Sequence, residues 1–367
     1  MALTLNKPIA AAPTNVLLTY SANIQSLRGL AALAVVLYHT AHYFNVVSGV
    51  DAYLRIFPEI YGLFGVAIFF AISGYLMAEL IHRQPPGEFL IRRIVRIYPT
   101  LIVATGIALS FRSAAYLDTW QFQSVTMVPV GPTTYTLAVE WTLISEVFFY
   151  GLLFIIAIGG LKRFIPTLAV MWTVLIICNA LFASSFISIG KAYIADVPLM
   201  LANAGFSSGL LIPEIIRRYN NKTIYFCLFV GSVVACLYIL PTNFIRVTAG
   251  MGSACLVAAL LNLRINLPRH LDDFLENLGD WSYSLYLIHV TVVLGLLKST
   301  PEISHYILFP ITVIAAVTAS AILGQLDIYM HNKSKALFRT DRSGLWIVTS
   351  CLFIVIYLSI ALLAYFW

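Results

Sequence analysis

In the segment SLRGLAALAVVLYHT, Arg28 and His39 stand eleven residues apart. On a helix that spacing leaves them about 20° from eclipsed and roughly 16 Å apart along one face. One face therefore carries a cation near its end and an imidazole about three turns deeper. Imidazole titrates near neutrality, which suits it to take a proton from a hydroxyl. The competing reading makes Arg28 a snorkelling anchor and His39 a hydrogen-bond partner of a neighbouring helix.

A second segment, TYTLAVEWTLISEVFFYGLL, places Glu140 and Glu146 on one helix with Trp141 between them. Glu140 is expected about one turn from the surface, within reach of water, and Glu146 near mid-membrane. An isolated buried carboxylate takes up a proton. Glu146 is therefore expected to pair with His39, holding the imidazole's tautomer or stabilising its protonated form; the alternative is a neutral Glu146 bonded to a backbone carbonyl.

In RRIVRIYP, Arg93 and Arg96 are three apart, with Arg92 beside them and Pro99 expected to start the next helix. Clustered guanidinium groups grip phosphates bidentately, although they also serve as plain topology anchors. In FFAISGYL, Ser73 and Gly74 interrupt an apolar run and allow a helix or a ligand to come close. In SYSLYLIHV, His289 follows Tyr283 and Tyr286 and either lines the same cavity or bonds across helices. His42 is treated as background.

The elements that must position these groups follow from composition. Of 367 residues, 60% are hydrophobic and 10% charged, with mean hydropathy +0.89; soluble domains carry about 25% charged residues. Continuous apolar runs of spanning length recur from Leu27 to Trp367, which excludes the alternating pattern of a membrane β-barrel. The fold class is all-α, a polytopic integral membrane helix bundle of 10–11 transmembrane helices. Spans are expected at 24–45, 60–82, 97–112, 136–158, 164–184, 197–213, 223–240, 245–263, 281–298, 305–325 and 344–366. The first is a membrane helix, not a removable signal peptide.

With the N-terminus inside, all Lys and Arg except Arg55, Arg112, Lys191, Arg246 and Lys298 fall on the cytoplasmic side, the positive-inside asymmetry. Anionic membrane lipids or an anionic cytoplasmic ligand account for the net charge of +6, and no nucleic acid is needed. The five cysteines lie in apolar runs without CxxC spacing and suggest neither disulfides nor a metal site. The chain reads as one domain over 1–367. The segment 113–135, with Trp120 and Tyr135, is expected to lie over the bundle at the outer surface and to cap a cavity.

Together these segments resemble the membrane-bound family called acyltransferase type 3, whose members O-acylate exopolysaccharides, lipopolysaccharide O-antigens and related envelope glycans. The resemblance rests on Arg28 and His39, FFAISGYL, Arg93 and Arg96 before Tyr98 and Pro99, the Trp141-to-Glu146 spacing, and SYSLYLIHV with His289. It is strongest over 23–290 and leaves 344–366 as an extra C-terminal transmembrane helix. The stretch QLDIYMHNKSKALF departs from the family's Glu-Pro element, which leaves the residues after 300 without an assigned role.

The resemblance implies an enzyme of the bacterial inner membrane that takes an acyl group, most often acetyl, from cytoplasmic acyl-CoA as co-substrate, with no bound cofactor. The acceptor would be a glycan or lipid-linked sugar hydroxyl. His39 and Glu146 would then be catalytic. Arg28, Arg93 and Arg96 would hold the CoA phosphates, with Trp141, Ser73 and His289 also binding substrate. Direct general-base transfer and an acyl-histidine intermediate both remain open. Two other classes compete: a secondary transporter or flippase for a lipid-linked sugar, and a structural subunit of an envelope-polysaccharide complex. Release of free thiol from acetyl-CoA separates the enzyme from both.

Overall fold

A backbone in hydrocarbon has to satisfy its own N–H and C=O groups, and continuous apolar runs do so as helices. The computed structural model describes residues 14–111, 123–132, 135–182, 192–261, 263, 267–300, 302–338 and 342–366. Among these residues there is no strand, and the helices are α1 Thr14–Ser48, α2 Ala52–Ile56, α3 Glu59–Arg83, α4 Pro86–Ser110, α5 Gln123–Thr126, α6 Glu140–Ile158, α7 Ile165–Phe182, α8 Ala204–Arg218, α9 Lys222–Tyr238, α10 Thr242–Leu261, α11 Arg269–Asp280, α12 Ser282–Ser299, α13 His305–Lys335 and α14 Ser343–Phe366. Nine are long and apolar enough to cross a membrane: α1, α3, α4, α6, α7, α10, α12, α13 and α14. The shorter α9 is also apolar. The chain is a polytopic helical membrane protein.

Four expectations change. The span expected at 197–213 is two 3-10 turns, Val197–Leu199 and Leu201–Asn203, followed by α8. Carbonyls freed by this break are taken by side chains: Trp172 Nε1 donates to the Pro198 oxygen at 2.7 Å, Asn179 Nδ2 to Leu199 at 2.9 Å, and Asn203 Nδ2 to Val197 at 2.5 Å. That is the condition under which irregular backbone survives at membrane depth. Second, Pro99 does not start a helix but lies inside α4, which begins at Pro86 after the extended Pro85. Arg92, Arg93 and Arg96 thus stand on a helix wall and not in a loop. Third, α13 runs to Lys335, ten residues beyond the expected end, and brings Asp327 into the bundle. Fourth, α11 was not foreseen; Leu271, Leu275 and Leu278 give it one apolar face.

The centre of the bundle is α3, packed between α1, α8 and α10. A Cβ at Gly74 would overlap the Phe206 carbonyl oxygen of α8, so the two backbones touch there. A Cβ at Gly279 would overlap the Gln25 carbonyl oxygen, which locks α11 across the start of α1. In the segment 113–135, Trp120 lies outside the described residues. Nearby, Val130 bridges to Tyr193, and the Gly131 N–H donates to the Ala192 oxygen at 3.1 Å.

Candidate functional site

Antiparallel neighbours bring the early turns of α4 and α12 beside the middle turns of α1, α3 and α6. There, Arg28, Ser73, Arg93, Arg96, Glu146, Tyr150, Tyr283 and Tyr286 line one cavity. Its volume, about 190 Å³, far exceeds the ~10–15 Å³ that admits one water. The charges on its wall therefore face a space that water or an anionic ligand can fill, as buried membrane charges require.

The three arginines are held differently. Arg28 Nη1 donates to Gln25 Oε1 at 3.1 Å. Arg96 forms an ion pair with Asp327, which is 3% exposed and also accepts from Thr100 Oγ1 at 2.5 Å. The Arg96 guanidinium lies 5.3 Å from the Tyr283 ring centre, and Tyr283 donates to the Ile97 carbonyl at 2.8 Å beside Pro99. Arg93, in contrast, makes no hydrogen bond to the described protein, and its Nε is fully buried. A buried donor without a partner is a standing cost that a bound acceptor would remove. Of the charged side chains that line the cavity, three are arginines and one is a carboxylate, Glu146.

The expected pair of His39 with Glu146 is not formed. Glu146 Oε1 accepts from Ser73 Oγ at 3.2 Å and from the Tyr150 hydroxyl. His39 Nδ1 instead lies 2.8 Å from His289 Nε2, and His289 Nδ1 lies 2.9 Å from the Leu285 carbonyl oxygen. The reason is depth: His39 stands three turns beyond Arg28 on α1, whereas Glu146 has been drawn to the arginine end. Glu140 is also corrected. It is 0% exposed, and its carboxylate accepts from the Leu137 and Val139 N–H groups at 2.7 and 3.0 Å, which fixes the turn that leads into its helix.

His39 opens to a second cavity, of about 150 Å³, lined among others by Tyr38, Glu59, Trp141, Arg246 and Tyr286. These residues come from the end of α1 and the starts of α3, α6 and α10, so this space lies toward the opposite end of the bundle. Glu59 and Arg246 approach to 3.5 Å at its mouth. Val66 and Tyr286 line both cavities and form the partition. The Tyr286 hydroxyl lies 2.9 Å from Thr142 Oγ1, whose own hydrogen goes to the Val139 carbonyl at 3.0 Å; Tyr286 is therefore the donor in that pair, and the bond holds its ring where it borders both cavities.

The structure thus gathers Arg28, Ser73, Arg93, Arg96 and Glu146 in one cavity, and His39 with Trp141 in the next. His289, 0% exposed, stands behind His39. Sequence reasoning missed Tyr150 and gave no role to Asp327, Tyr38, Glu59 or Arg246. Tyr150 sits four residues after Glu146, on its face of the helix, a spacing that could have been read. Asp327 is a lone acid in an apolar run and was hidden by ending that span at 325. Glu59 and Arg246 meet only through folding and leave no local signal.

The chain matches, over residues 21–330, the model of a family described as an acyltransferase domain; α14 lies beyond the match. It is 28% identical over 285 residues to the exopolysaccharide production protein ExoZ of Rhizobium meliloti (strain 1021), covering 72% of this chain and 86% of that protein. No solved structure matches it.

Proposed function

The chain belongs to this acyltransferase family and is a multi-pass membrane acyltransferase, and from that premise we propose that it O-acylates an exported polysaccharide. The donor is a cytoplasmic acyl-CoA, acetyl-CoA in the simplest case. The acceptor is a hydroxyl of a glycan or lipid-linked sugar of the exopolysaccharide class named for its relative. The protein lies in the bacterial inner membrane with its N-terminus and its arginine-lined cavity toward the cytoplasm, the orientation favoured by the distribution of Lys and Arg.

The observation that carries this reading is the pair of cavities on either side of the partition formed by Val66 and Tyr286, one cationic, the other aromatic and reaching His39. Arg93, Arg96 and Arg28 bind donor phosphates, and Arg93 gains the acceptor it lacks. The ring faces of Trp141 and Tyr38 suit a sugar, and Glu59 and Arg246 its hydroxyls. His39 takes the hydroxyl proton while the oxygen attacks the thioester carbonyl. The C–S bond breaks, and the thiolate receives the proton from His39, so atoms and charge balance. Glu146 belongs to the donor side, where Ser73 and Tyr150 hold it among the arginines.

The test is purified protein in nanodiscs given acetyl-CoA and a glycan acceptor, followed by thiol release and by glycan mass spectrometry. Acceptor-dependent thiol release with a matching mass increment on the glycan is expected. Transport of the glycan without thiol release would overturn the reading.

A further inference from the structure

We propose that His289 is a positioning residue that holds His39 in the tautomer protonated on Nδ1, leaving the Nε2 lone pair as the base. This rests on His39 being the base in the reaction proposed above.

The assignment follows from a chain of donors and acceptors. A backbone carbonyl can only accept, so the 2.9 Å contact of His289 Nδ1 with the Leu285 oxygen requires the proton on His289 Nδ1. In the neutral ring, His289 Nε2 is then an acceptor. Its 2.8 Å contact with His39 Nδ1 therefore needs the proton on His39 Nδ1. His39 Nε2 is left with its lone pair, and no described residue bonds it. His39 lines the cavity that also holds Trp141 and Tyr38.

The geometry is that of a strong hydrogen bond and not of ring stacking. The ring centres are 5.1 Å apart and the planes differ by 12°. For two five-membered rings, that separation is the largest a 2.8 Å nitrogen contact permits, so both nitrogens lie on the line between the centres. The N–H and the lone pair then point at each other within nearly one plane. A shared metal would hold two imidazole nitrogens about 3.3 Å apart at ordinary bond lengths and tetrahedral angle; 2.8 Å is a hydrogen bond.

Two features make the device rigid. Leu285 and His289 are four apart on α12, so the anchoring carbonyl turns with the ring it holds. His289 is 0% exposed, and water cannot compete for either nitrogen. When His39 accepts a proton on Nε2, its Nδ1–H still donates to His289, and the charge is stabilised by an acceptor already in place. This is the orienting role that sequence alone would give to Glu146.

The experiment compares H39A, H289A and H289Q with the unmodified protein in nanodiscs, using acetyl-CoA and the glycan acceptor. A glutamine amide oxygen can accept where Nε2 does. H289A should lower kcat on the order of 10²-fold or more with KM values little changed, and H289Q should restore most of the loss. Nitrogen-15 spectra of histidine-labelled unmodified protein should show His39 protonated on Nδ1 and bare on Nε2, whether or not turnover is seen.

A spectrum with His39 Nε2 protonated would overturn the proposal even if H289A fails to fold. An inactive H39A beside an H289A of normal kcat would sink the positioning role and leave the base reading standing. An active H39A would remove both, with the spectrum still reporting the tautomer.

Discussion

Replacing Arg93 and Arg96 by methionine should move stability in opposite directions, although the residues are one turn apart and are both proposed to bind the donor. Arg93 has a fully buried Nε with no hydrogen-bond partner; a buried unmatched donor costs about 1–3 kcal/mol. R93M removes that cost and keeps the aliphatic stem's packing, so the ligand-free protein should gain about 1 kcal/mol. Arg96 is tied to Asp327, whose side chain is 3% exposed. Removing one partner of a buried pair costs about 3–5 kcal/mol. Because Arg96 keeps 27% of its side-chain surface exposed, the lower end, about 3 kcal/mol, applies.

The two variants should therefore differ by about 4 kcal/mol, or roughly 8 °C in Tm at about 2 °C per kcal/mol for a chain of this size. Thermal scans of ligand-free protein in one detergent measure the gap. Both variants should also raise the apparent KM for acyl-CoA. If R93M melts as low as R96M, the claim that Arg93 is held in reserve for a ligand is wrong.

Other outcomes can be checked in parallel. H39A should lose on the order of 10²–10⁴-fold in kcat with normal folding by gel filtration; near-normal turnover would remove His39 from the chemistry. E59Q and R246Q should raise the KM for the glycan and leave that for acyl-CoA alone, and an effect confined to the donor would disprove the two-cavity division. G279A should sharply lower yield and Tm, because its Cβ meets the Gln25 carbonyl; a stable G279A would show that α11 is not locked to α1. D327N should weaken donor binding through Arg96 while Y150F acts through Glu146, and a double variant no worse than either single one would mean the two act as one unit.

Much of the site was readable because it is built from residues that a membrane helix excludes without a reason. Arg28, His39, Arg93, Arg96, Glu146 and His289 each break an apolar run, and helical spacing alone put Arg28 and His39 on one face. Reading was less sure where backbone and side chains cooperate at a distance. The break at 197–203 depends on Trp172 and Asn179 of α7 reaching its carbonyls. The placement of Arg93 and Arg96 on a helix wall depends on α4 starting thirteen residues before Pro99, a proline its helix tolerates.

Periodicity, composition and charge asymmetry sufficed to establish that the chain is a many-span helical membrane protein with cations gathered at one end and a histidine deeper in. These are properties of single helices, set by hydrocarbon solvation and by 3.6 residues per turn. Partner choice was decided only by the tertiary structure. Glu146 joined Ser73, Tyr150 and the arginines, His39 took His289, and Arg96 took Asp327. Hydrogen bonds and ion pairs between helices depend on relative depth and rotation to within about an ångström, and those are set by where glycines such as Gly74 let backbones touch.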